Sequence, residues 1–106
     1  MSDEPPPVYL SSTELRDLFN RERVWERAIQ GELYLIVRAS NHPSSPLAAE
    51  PFCTQSIMFS ISDFVGGEMV LVATAHAYLR PDGKYGASGR GDPKAMIHDG
   101  RWYVLA

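Results

Sequence analysis

The chain predicts an α+β domain, with an N-terminal helix or two short helices packed on an antiparallel sheet of four to five strands. Three observations carry that expectation. Apolar residues recur at helical spacing between Leu15 and Ile29. They alternate at a period of two in residues 55–62 and 68–80. Turn formers separate the runs at Gly66-Gly67, Pro81-Asp82-Gly83 and Asp99-Gly100. There is no internal repeat.

The N-terminal residues 1–10 read as a Pro-rich tail, because Pro5, Pro6 and Pro7 favour an extended backbone without internal hydrogen bonds. A single domain over residues 11–106 follows. Ser11 and Glu14 have the spacing of a capping box, with Leu10 placed as the staple residue before it. Leu15, Leu18 and Phe19 form one helical stripe, and Val24, Trp25, Ala28 and Ile29 another. Asn20 and Glu22 interrupt them, so one kinked helix and two short ones fit equally well. Gly31 supplies the left-handed residue that ends a helix.

Residues 32–38 are β-branched and aromatic and read as a buried strand. Residues 39–54 form a long Pro/Ser-rich connection, a length at which a structureless loop is unusual and tends to be functional or mobile. In residues 55–62, Ile57, Phe59 and Ile61 share one side, and Ser56, Met58, Ser60 and Ser62 the other. Residues 68–80 are the longest strand. Its alanine face (Ala73, Ala75, Ala77) is narrow enough to admit the helix, and its other face ends polar at His76, Tyr78 and Arg80. Arg80-Pro81-Asp82-Gly83 is a tight turn. Residues 84–91 are too glycine-rich for regular structure. Asp92-Pro93 reads as a helix cap followed by a single turn over 93–96. Asp99-Gly100 joins the last two apolar runs as a hairpin. Trp25, Phe59, Tyr34, Trp102 and Tyr103 read as core rather than as stacking platforms.

Composition bounds the function. The chain has 106 residues, 44% of them apolar, and a net charge of −3, which a wholly disordered chain would not show. One cysteine excludes an internal disulfide. No apolar run approaches the roughly 18 residues of a membrane span. The acidic, Pro-rich start resembles neither a secretory nor a transit peptide, so a cytoplasmic protein without membrane association is expected. A domain this small buries a modest core, which makes a homodimer or a partner surface an expectation. Residues 1–37 carry seven acids and four bases, whereas residues 76–106 carry five bases and three acids. That balance argues against a general nucleic-acid coat while leaving room for a small anion site near the C-terminus.

The segment from His76 to Lys94 is the richest in chemistry. His76, Tyr78, Arg80, Lys84, Ser88, Arg90 and Lys94 are the candidate binding residues, gathered around four glycines. Glycine-rich turns expose backbone N–H groups that bind anions, and the cations would clamp a phosphate or carboxylate. His76, Tyr78 and Arg80 lie on one strand face, successive members about 7 Å apart. His76 as proton carrier and Arg80 as charge stabiliser give an alternative, a metal-independent ribonuclease or phosphoester-processing enzyme. The P-loop and nucleophile-elbow patterns fail, since Asp92-Pro93 follows Gly91 and Gly89-Arg90 follows Ser88. No His or Cys pair has zinc-motif spacing, so no metal or other cofactor is assigned.

The segment His76-x-Tyr78-Leu79-Arg80-Pro81-Asp82-Gly83, with Gly86-Ala87-Ser88-Gly89 and Asp92-Pro93-Lys94, resembles small uncharacterised proteins of bacteria, phages and other mobile elements. Asn41-His42-Pro43 and Glu50-Pro51-Phe52-Cys53-Thr54 are similar to that group too. The likeness covers roughly residues 40–106 and carries no catalytic role. It implies a mobile-element accessory protein. With the cationic segment, it leads to a non-enzymatic binding module that acts through a protein or nucleic-acid partner.

Overall fold

A computed structural model of the chain describes residues 5–41, 50–86 and 89–106. The order of elements is β1 (Val8–Leu10), α1 (Ser12–Arg21), α2 (Val24–Ile29), β2 (Tyr34–Asn41), β3 (Gln55–Val65), β4 (Glu68–Leu79), β5 (Asp92–His98) and β6 (Arg101–Leu105). The expected α+β class holds, with both helices packed on one face of the sheet. Among the described residues the sheet has six strands rather than four or five, in the order β1-β6-β5-β4-β3-β2. It is mixed rather than antiparallel, because β1 runs parallel to β6. Residues 8–10, read from the sequence as part of the tail, form a strand instead. Val8, Tyr9 and Leu10 pair with Tyr103, Val104 and Leu105, and Ala106 N–H donates to Leu10 O.

The capping box forms as its spacing requires. Ser11 N–H donates to the Glu14 carboxylate, and Glu14 N–H donates to Ser11 Oγ. The bond from the Ser11 backbone, then the one from its hydroxyl, hold the Glu14 pKa below the usual carboxylate value. Two helices are present, and Arg23 separates them in the left-handed conformation at φ 55°. In one continuous helix the two stripes would be centred about 100° apart. The break at Arg23 aims both stripes at the sheet. Leu15, Leu18, Phe19, Val24, Trp25 and Ala28 are all buried there, whereas Ile29 is exposed.

Those side chains meet Ile57, Phe59 and Ile61 of β3, Ala73, Ala75 and Ala77 of β4, and Met96 of β5. The alanine face of β4 thus receives the helical layer, as its small side chains allow. Trp25 stands edge-on to Phe59 and Tyr85, with ring centroids 6.1 and 5.1 Å away. That contact ties the glycine-rich segment to the core.

Three local expectations need correction. Residues 32–38 were expected to form a buried strand, but β2 is an edge strand, and Tyr34, Ile36 and Val37 are exposed. An apolar β-branched run fits an edge strand as well as a central one, so its burial is not legible from composition. No helical turn forms at 93–96, because Asp92–His98 is strand β5. Its register shifts between Pro93 and Ala95, so the proline, which has no N–H to give, sits beside a bulge where strands tolerate it. Trp102 and Tyr34 also lie outside the core, at 38% and 52% exposed. The turns are as expected. Gly83 N–H closes on Arg80 O at 2.9 Å, and Asp99 and Gly100 take φ values of 50° and 75°.

Candidate functional site

β5 accompanies β4 only from Ala73 to His76. Beyond His76 the edge of β4 takes a different neighbour. Gly86 N–H donates to Tyr78 O at 2.7 Å, and Tyr85 bridges Leu79. The divergence leaves a cleft of about 460 Å³, lined by Arg16, His76, Ala77, Tyr78, Gly86, Arg90, Asp92 and Lys94.

Charge is unevenly matched around this cleft. Asp92 is shared between Arg16 Nε at 3.3 Å and Lys94 Nζ at 3.2 Å. Arg90 pairs with Glu26 of α2. One wall carboxylate therefore serves two cations, and a third cation is held by an acid outside the lining. His76 is half-buried. Its Nε2 lies 2.5 Å from Ser56 Oγ, and its ring meets Tyr78 edge-on at 4.7 Å. Burial, then the nearby Lys94 charge, push its pKa below 6.5, with Asp92 opposing them. The imidazole is thereby held neutral near neutral pH and can accept a proton.

The expected binding residues divide. His76, Tyr78, Arg90 and Lys94 come together on the cleft. Arg80 does not line it. Its Nε donates to Glu50 at 2.8 Å, and the Glu50 side chain is only 2% exposed. That bond and charge raise the Arg80 pKa and make the arginine the partner of a buried acid. Gly86 gives this carboxylate room, since a Cβ there would lie 2.1 Å from Glu50 Oε1. Lys84 is exposed on the turn, where its N–H donates to Asp82 Oδ1. Ser88 lies outside the described residues. Among the described residues, the cations that line the cleft with His76 are Arg16, Arg90 and Lys94, and Arg80 is not one of them.

Arg16 was not singled out from the sequence. It contacts Asp92 across 76 positions, and no local pattern marks that pairing. Ser56 was placed on the uncovered side of its strand, but its contact with His76 needs the register that sets Ser56 opposite Tyr78 and Met58 opposite His76. Among the described residues, no three of His, Cys, Asp and Glu gather closely enough to hold a metal ion. No helix among them is long and apolar enough to cross a membrane. The cleft's donors suit an anion, because guanidinium and ammonium groups bind phosphate or carboxylate by charge-assisted hydrogen bonds. No family model matches the chain, and neither a curated protein nor a solved structure does.

Proposed function

We propose that the protein is a small cytoplasmic accessory module that captures an anionic group of a protein or nucleic-acid partner in the cleft between β4 and β5. The observation that supports this reading is the single Asp92 carboxylate shared by Arg16 and Lys94. Two cations on one carboxylate at a concave wall, counted among the described residues, are an electrostatic match for phosphate or carboxylate. The resemblance to mobile-element proteins fits an accessory role of this kind.

The test is an NMR titration with inorganic phosphate. Saturable shifts are expected at the amides of Tyr78, Gly86 and Lys94. Lys94→Ala should weaken binding by about 1 kcal/mol, or about fivefold. Asp92→Asn frees both cations and should tighten it. Unchanged spectra, or weaker binding in Asp92→Asn, would remove the cleft from consideration. RNA turnover that resists EDTA would favour the phosphoester alternative, with His76 as proton carrier.

A further inference from the structure

Ser56 and His76 meet across the β3–β4 pair on the face that the helices leave uncovered. Ser56 Oγ and His76 Nε2 are 2.5 Å apart, within the reach that activation of a serine needs. Both side chains are half-buried, accessible to a small molecule yet partly shielded from water. Tyr78 packs edge-on against the imidazole, and Asp92, whose carboxylate pairs with Arg16 and Lys94, is the register partner of His76 on β5. A hydroxyl within hydrogen-bond reach of an imidazole is the nucleophile–base arrangement of serine hydrolysis, recognised by geometry rather than by order in the chain. His76 also lines the cleft that holds Arg16 and Lys94.

We propose that Ser56 and His76 form a nucleophile–base pair that hydrolyses carboxylic esters, and that the adjoining cleft favours esters bearing an anionic group. Ser56 Oγ attacks the ester carbonyl carbon as its proton passes to His76 Nε2. The C–O bond to the alcohol breaks, and the alcohol departs with the proton from His76. Water then attacks the acyl-serine, giving up a proton to His76. The carboxylic acid is released and Ser56 regains its hydrogen. Asp92 favours the imidazolium formed in each half, and Lys94 and Arg16 favour the negative charge of the tetrahedral state. The anionic preference rests on the anion-binding reading of the cleft, whereas the Ser56–His76 chemistry does not.

The experiment uses the full chain with two probes. The first is p-nitrophenyl acetate, read by release of p-nitrophenolate. The second is an alkyl fluorophosphonate, in which a Ser Oγ–P bond forms as P–F breaks, fluoride leaves and His76 takes the proton. Turnover and a single adduct mapped to Ser56 by mass spectrometry are expected. Both should vanish in Ser56→Ala and fall about a hundredfold in His76→Gln. Because the adduct is mapped in the native protein, a poorly folded variant does not blunt the test. An unlabelled Ser56, an adduct only elsewhere, or labelling indifferent to His76→Gln overturns the proposal. Phosphate added as competitor separates the two readings. Labelling of Ser56 that phosphate does not slow would sustain the pair and set aside the anionic preference.

Discussion

Trp25 cannot shift without disturbing two other rings, and Gly91 lies directly beneath it. A Cβ at Gly91 would stand 2.7 Å from Trp25 Cζ3, 2.9 Å from Cε3 and 3.3 Å from Ala75 Cβ. The indole is held edge-on by Tyr85 and Phe59, so it has little room to retreat. Gly91→Ala should therefore cost about 1–3 kcal/mol, the range for overpacking a filled core. Urea unfolding measures that cost. A neutral result would mean that the ring and the start of β5 adjust freely. The glycine content of residues 83–91 was read from the sequence as exposed backbone for an anion. At Gly91 and Gly86 the structure gives a second reason, namely room for the Trp25 ring and for the Glu50 carboxylate. A residue's type is legible in a sequence, but the neighbour that demands it is not. Arg80 shows the same limit, because its chemistry suited a phosphate while its partner is a buried acid 30 positions earlier.

Elements with strong local signals were legible, and those defined by distant pairing were not. The capping box, the Gly31 stop and the Asp99-Gly100 hairpin each depend on residues within one turn of chain. β1 is three residues long and exists only because β6 lies beside it, so its Val-Tyr-Leu composition was hidden behind three prolines. β5 is not legible from local sequence, because Asp-Pro suits a helix start as well as a strand bulge, and only the pairing with β4 decides between them. The break between α1 and α2 lies between these cases. Asn20 and Glu22 marked a discontinuity, but the left-handed residue is Arg23, which has a Cβ and bears the steric cost of that conformation. Arg23→Gly should remove it and stabilise the protein by about 1 kcal/mol. A melting temperature raised by several degrees, with unchanged helical circular dichroism, is the expected outcome. A lower one would mean that the arginine side chain secures the joint between the helices.

At the scale of the whole molecule, the charge asymmetry between the chain's two ends becomes internal pairing. Glu26 of the acidic helical region meets Arg90 of the basic region, His98 Nδ1 lies 3.4 Å from Glu22, and Arg16 meets Asp92 in the opposite sense. The helical layer and the β4–β5 end of the sheet are thus linked by ion pairs in addition to the apolar core. These pairs are partly exposed, so each contributes little, but two groups with lowered pKa values contribute to how the fold responds to acid. His76 is held below its ordinary 6.5 by burial and Lys94, with Asp92 opposing. Glu14 is held below 4.5 by the Ser11 backbone and hydroxyl. In both cases the folded pKa is lower than the unfolded one, so the unfolded chain binds more protons in the interval between them. Stability is then fully present above the unfolded value and is lost as pH falls through the folded one. The His76 contribution should decline below pH 6.5 and the Glu14 contribution below pH 4.5. Urea midpoints measured from neutral to acidic pH should therefore fall in two stages. His76→Gln should flatten the upper stage while leaving the lower one in place, since the Glu14 shift comes from its capping-box bonds to Ser11 and not from His76. An upper stage that persists in His76→Gln would assign it to another group and weaken the case for a neutral imidazole beside Ser56.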